Sequence, residues 1–270
     1  MTRTDKFCML CGAPLPAAPT PTVPGMPEVQ QKSERKSIAF KAAVTPEAVQ
    51  GAVEKIKVSL FAEPAKKPGI PGIGGIGGLF GPKPEQLIVV QKIEKAYETY
   101  VRIHAQYSVE YYKKNFYEAR VEPNVVEVVS GNMSYTPSDG LVKIEADERK
   151  VYQNEGTAVF DKSANEVKPE VIPAGSPEES PQAVLSAAGV DLGKIKRLED
   201  TVLSLALNVF KFRICQAPDE ISRIRTETLA ITEFSTFFAP VYRAMVAHQK
   251  TGETRVVVID GITGQMVTGG

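Results

Sequence analysis

From Thr99 to Tyr111 the chain alternates without a break. Thr99, Val101, Ile103, Ala105, Tyr107, Val109 and Tyr111 fall on one side, and Tyr100, Arg102, His104, Gln106, Ser108 and Glu110 on the other. Successive strand side chains point to opposite faces, so this pattern demands a β-strand with one face buried and one wet. A strand needs paired neighbours, and the flanking sequence supplies them. Lys113, Lys114 and Asn115 read as a turn, followed by strand-like "FYEARV", "VVEVVS", "GLVKIEA" and "KVYQNEGTAVFD". Gly, Asn, Ser and Asp lie between the later segments, so an antiparallel meander is expected. After Ile221 the strand pattern returns in "RTETLAITEFSTFF" and "PVYRAMVAHQ", then the turn "KTGE", "TRVVVID", the turn "GITG" and a short "QMV".

Two helical signals precede these β-rich regions. Thr45-Pro46-Glu47 combines an N-cap hydroxyl, a first-position proline and a first-turn acid. Val49, Ala52, Val53, Ile56 and Leu60 then form one apolar face. Ser180-Pro181-Gln182 opens the second region, in which Ile195, Leu198, Val202, Leu205 and Val209 step by three and four. Leu203, Leu205, Leu207 and Val209 also alternate, but the three-four pattern runs longer and favours a helix. The shared order of helix then strands suggests an internal repeat. The expected fold is α+β: two small units, each a helix packed on an antiparallel sheet, with a disordered N-terminal tail. Residues 1–37 form a cysteine knuckle and Pro-rich tether, 38–168 a helix plus meander with a Gly-rich loop at 66–84, and 169–270 a helical segment plus a C-terminal hairpin unit.

The tether rests on "APLPAAPTPTVPGMPEVQQKSERKS" (13–37), which has too little apolar surface to offset the entropy of ordering it. In the Gly-rich loop, residues 72–77 read "GIGGIG" and match the phosphate-cradling pattern G-x-G-x-x-G. That chemistry requires a strand before the glycines and a helix opening from them. Pro68 and Pro71 stand before and Pro82 and Pro84 after, so a linker or exposed loop is the better reading.

Lys plus Arg and Asp plus Glu are equal at 32 each, so no global field draws the chain to phosphate backbones or anionic membranes. Six of the nine tyrosines lie between residues 97 and 120, interleaved with Arg102, Lys113 and Lys114. Such a surface can stack single-stranded nucleic acid. Period two nevertheless places Tyr107 and Tyr111 on the apolar face, which argues for core packing instead. No apolar run reaches the length of a membrane span, and no apolar stretch follows the charged N-terminus as in a signal peptide. Three cysteines, two of them in one C-x-x-C, do not make a disulfide framework. A soluble, cytoplasmic protein is expected.

Cys8 and Cys11 in "FCMLCG" are half of a zinc knuckle: two thiolates reach one tetrahedral ion, and the following glycine lets the backbone turn toward the sulfurs. A structural site needs four ligands, and the chain offers only Cys215, His104 and His248 besides. Four readings stay open: a relic of a shortened zinc ribbon, a site completed by another chain, a site using the remote residues, or a redox pair. Zinc is the one cofactor suggested. No nucleophile and base share a motif, and Glu110, Glu118, Glu127 and Asp260 read as solvated strand or turn residues, so a non-catalytic protein is expected.

At the C-terminus, "APVYRAMVAHQKTGETRVVVIDGITGQMV" (239–267) resembles the terminal hairpin of PepSY-type modules and related β-rich domains. The longer stretch from Ala217 to Gly264 is similar to archaeal proteins of unknown function that carry an N-terminal cysteine knuckle. The resemblance implies a fold with a binding or regulatory role, and no catalytic residue. The function expected is protein interaction or scaffolding, the partner being another protein or a second copy of the chain. The alternative is a single-stranded nucleic-acid-binding module using the zinc knuckle and the aromatic-basic strand.

Overall fold

A computed structural model describes residues 27–61 and 87–267. It has a large mixed sheet and few helices. The elements run β1 (Glu28–Gln31), β2 (Arg35–Ala39), α1 (Pro46–Leu60), β3 (Ile88–Arg120), β4 (Val128–Ser130), β5 (Met133–Tyr135), β6 (Leu141–Asp161), β7 (Glu166–Val167), α2 (Pro181–Ala187), α3 (Leu192–Arg213), β8 (Arg223–His248) and β9 (Thr254–Asp260). Among the described residues the large sheet has hydrogen-bonded order β1-β8-β3-β6-β7, with β2 and β9 also on β8, while β4 and β5 pair separately. None of these helices is long and apolar enough to cross a membrane.

The alternating stretch from Thr99 to Tyr111 lies within β3, and all its odd-numbered residues are buried. The strand does not stop at Lys113–Asn115, where a turn was expected, but runs on to Arg120. Partners beside the strand make this possible: Lys114 pairs with Glu145 of β6, Asn115 donates to Glu148 of β6 at 2.9 Å, and Lys113 pairs with Glu220 in the segment before β8. "GLVKIEA" and "KVYQNEGTAVFD" likewise belong to the single strand β6. β8 passes through Pro240.

Two further expectations are corrected. The tether expected over 13–37 contains β1 and the start of β2, and both pair in parallel with β8, so the sheet is not purely antiparallel. Composition could not show this, because main-chain hydrogen bonds to a waiting strand edge order a segment that has little apolar surface of its own. The 194–212 segment is helical, as its three-four pattern requires, but its buried face is Glu199, Val202, Leu203, Ala206, Leu207 and Phe210, continuing to Ile214. Leu205, expected on that face, is exposed. The Gly-rich loop at 66–84 lies outside the described residues.

The chain divides into two compact units that interleave in sequence. One comprises the described residues up to Glu34 with Ile103–Thr157 and Leu203–Glu233; the other comprises the described residues of Arg35–Arg102, Ala158–Val202 and those from Phe234. In the second unit, Thr45 caps α1 by accepting from the Ala48 amide at 3.3 Å. Val49 and Val53 of α1 pack with Tyr242, Ala244 and Val246 of β8 and Val257 and Ile259 of β9. At Gly261 a Cβ would stand 2.7 Å from the Pro240 carbonyl oxygen, so only glycine lets the turn after β9 approach β8. In the first unit, Gly156 of β6 serves a similar purpose: its Cβ would meet Ile214 Cγ2 at 2.9 Å, where the chain leaving α3 lies on the strand.

Candidate interaction site: the outer edge of β6

In the first unit one side of β6 faces β3, and the direction of its backbone groups can be read from its start. The Val121 amide donates to the Gly140 carbonyl on the β3 side. The next residue, Leu141, exchanges both main-chain bonds with Ser138, on the other side. Main-chain groups alternate along a strand, so odd-numbered residues of β6 direct theirs outward. Glu145 conforms, its carbonyl accepting from the Tyr135 hydroxyl at 3.1 Å. From Val142 to Thr157 no strand pairs with this outer edge among the described residues.

The side chains beside this edge are tied inward to β3. Glu148 accepts from Asn115 and Tyr117 and pairs with Lys150 at 2.7 Å; Lys150, then Tyr117 and Asn115, hold its carboxyl down to about 2. Glu110 pairs with Arg149, and with Arg225 at 2.9 Å, and these guanidiniums lower its pKa, Arg149 foremost. Lys143 pairs with Glu118 at 3.2 Å. Lys114 pairs with Glu145, which foremost holds its pKa up, and Asp147 on the same wet face adds to that; Val151 beside them is 62% exposed. The edge therefore offers outward N–H and C=O groups in a rigid frame, bordered by an acidic run (Glu145, Asp147, Glu148) followed by a basic one (Arg149, Lys150).

The residues singled out in the sequence do not assemble into one site. Cys8 and Cys11 lie outside the described residues. His104 stands on the wet face of β3, where its Nδ1 shares a hydrogen bond with Thr157 Oγ1 at 2.9 Å and its Nε2 lies 3.8 Å from Glu155. His248, in the other unit, accepts from the Thr251 amide through Nδ1 at 3.2 Å. Cys215 is half-buried, and burial, aided by Glu227, pushes its thiol up to about 11. Among the described residues no group of three or more His, Cys, Asp or Glu is placed to hold a metal ion. Glu127 accepts from Ser134, and Asp260 accepts from the Ile262 and Thr263 amides at 2.8 and 2.7 Å, fixing the turn after β9.

Of the aromatic-basic strand, Tyr107 is fully buried and donates to Glu227 at 2.8 Å, Tyr111 is buried, and Arg102 lies over the Phe237 ring at 4.8 Å. The β6 edge itself was missed. Its signal in the sequence is the acidic-then-basic run "EADERK", but which strand keeps an unpaired edge depends on the whole sheet order.

Comparison of the chain with protein-family models, with curated proteins and with solved structures gives no match.

Proposed function

We propose that this chain is a non-catalytic, cytoplasmic protein-interaction or scaffold protein that binds another protein, or a second copy of itself, by strand addition. The observation that carries this reading is the outer edge of β6 beyond Glu145, with which no strand pairs from Ala146 to Thr157 among the described residues. An extended segment added there gains main-chain hydrogen bonds, and the flanking side chains select among candidates. The carboxylates weighed as candidate acids support the reading too, because Glu110, Glu118, Glu127 and Asp260 each hold a structural partner. The organisation proposed is two helix-plus-sheet units preceded by the Cys8 and Cys11 pair, with zinc the one cofactor proposed for those thiols.

Affinity purification of the full chain beside V151P tests it. Proline at 151 removes one outward N–H and nothing directed toward β3, a change tolerated on edge strands. A partner held by the unaltered chain and lost from V151P is the expected result. A chain that stays monomeric and recovers no partner overturns the reading. Metal analysis of the purified chain, with C8S/C11S as control, decides among the readings: one zinc per two chains means a site shared between chains, one per chain a site using remote residues, and none the relic.

A further inference from the structure

The chemistry of the segment that fits the β6 edge can be read from the side chains along it, taking the strand-addition reading as the starting point. At both ends of β6 the odd-numbered residues turn their main-chain groups outward: Leu141 exchanges bonds with Ser138, and Asp161 donates to the Asn165 carbonyl at 2.9 Å. The accessible stretch lies between two closures. The Glu145 carbonyl is taken by the Tyr135 hydroxyl, and Val159 is paired with Val167 of β7. An added strand fits only between them, so it is a short extended segment that leaves the sheet at each end.

Between the closures, Asp147, Arg149, Val151, Gln153 and Glu155 turn main-chain groups outward and carry exposed side chains on the wet face. Their chemistry is ordered about Val151, an apolar side chain 62% exposed. Four positions to either side of it stand carboxylates, Asp147 and Glu155, the latter 70% exposed. Asp147 helps hold up the pKa of Lys114, but that ammonium is bonded to Glu145. Glu155 lies 3.8 Å from His104 Nε2, beyond hydrogen-bond length. Both carboxylates therefore keep acceptor capacity for a cation alongside. Arg149 breaks the symmetry: it bonds Glu110 through Nε, which leaves its terminal nitrogens for a second acceptor, whereas Gln153 on the other side of Val151 is neutral. The edge thus has a direction as well as a pattern.

We propose that the edge of β6 between Ala146 and Thr157 binds an extended segment of another protein, antiparallel, with an apolar residue facing Val151 and a basic residue four positions to either side of it. Directly opposed residues of an antiparallel pair share a face, so the two basic side chains meet Glu155 and Asp147 on the wet face. An acidic residue two positions after the apolar one meets Arg149. Val151, Asp147 and Glu155 are all odd-numbered, so each exchanges main-chain bonds with the residue it faces. Main-chain bonds supply the attachment, and the opposed side chains supply the choice of segment.

The test is a nuclear magnetic resonance titration of the full, isotopically labelled chain with the synthetic peptide acetyl-KTTTVTETK-amide, with circular dichroism to establish that each variant is folded. The amides of Asp147, Val151 and Glu155 are expected to shift together along one saturating curve, and V151P should abolish the binding. The peptide acetyl-ETTTVTETE-amide sets acid against acid at both ends and should bind about tenfold or more weakly, since two opposed charge pairs change sign. D147K/E155K should exchange the two preferences. The peptide acetyl-KTETVTTTK-amide moves the acid from Arg149 to Gln153 and should bind about threefold more weakly than the first. The proposal is overturned by amides of β6 that do not shift at millimolar peptide, by affinities indifferent to peptide charge, by a folded D147K/E155K that keeps the original preference, or by a dimer of the chain alone that V151P abolishes, which would put a second copy on the edge. A protein partner lost on V151P while the peptides show no charge preference overturns the basic and apolar pattern alone and leaves the strand-addition reading standing.

Discussion

The Thr236 hydroxyl donates to Glu199 Oε1 at 2.6 Å, and both residues are buried. The carboxylate sits at a core position of α3 and is held on its other oxygen by Arg35 Nη1 at 3.3 Å; Arg35 also reaches Asp200 at 2.8 Å and lies over the Phe234 ring. A buried carboxylate is tolerated only while its acceptors are used. T236V keeps the shape and deletes the donor, so it is expected to cost about 1–3 kcal/mol, the penalty of a buried group left unsatisfied. Urea denaturation measures it. Adding E199L should recover part of the loss, because removing both polar partners is close to neutral.

Gly156 leads to the second prediction. Alanine there puts a methyl against Ile214 Cγ2, on a buried side chain that cannot swing into solvent. G156A is expected to lose about 1–3 kcal/mol by overpacking. The double variant G156A/I214A should be less destabilised than the sum of its two single variants, since the alanine at 214 removes the obstructing methyl. Equal additive losses in thermal or urea unfolding would disprove the close approach.

The charged pairs beside β6 make stability depend on acid. The Glu148 carboxyl is held at about 2 against an ordinary 4.5, by Lys150 first and then Tyr117 and Asn115. A group with a depressed folded pKa contributes its stability in full above its unfolded value. The contribution drains away as pH falls from 4.5 toward 2, because protonation then favours the unfolded chain. Denaturation curves at intervals between pH 6 and pH 2 should show stability falling across that window. E148Q should flatten the fall there while leaving its shape at higher pH alone.

How much of this was legible in the sequence depends on the range of the interaction. The buried face of β3 was readable, because a period of two over Thr99–Tyr111 needs no knowledge of the partner strands, and the Thr45 cap and the Val49–Val53 face of α1 were equally local. The phase of α3 was not, because Glu199 occupies a core position that a hydrophobic pattern assigns to solvent; only Thr236 and Arg35, distant in sequence, make its burial affordable. The continuation of β3 through Lys113–Asn115 was hidden for the same reason. Three polar residues in a row read as a turn until Glu220, Glu145 and Glu148 are seen opposite them. The pairing of β1 and β2 with β8, and the bare edge of β6, are properties of strand order alone, to which composition and periodicity are blind.

Cys215 carries the last prediction. Half-burial, aided by Glu227, lifts its thiol to about 11, so almost none of it is thiolate near neutrality. The thiolate is the reactive form, and an ordinary cysteine has a pKa of about 8.5. At pH 8 alkylation of Cys215 in the folded chain should therefore be roughly two-hundredfold slower than in the chain unfolded in guanidinium, as judged by the thiolate fraction alone. Time-resolved mass spectrometry of the peptide containing Cys215 reads it separately from Cys8 and Cys11. The rate should climb steadily as pH is raised toward 11 if the fold persists. Rapid labelling at pH 8 in the folded chain would instead mean that the residue is exposed and its thiol unperturbed, and that the packing around Tyr107, Glu227 and Cys215 is looser than the structure has it.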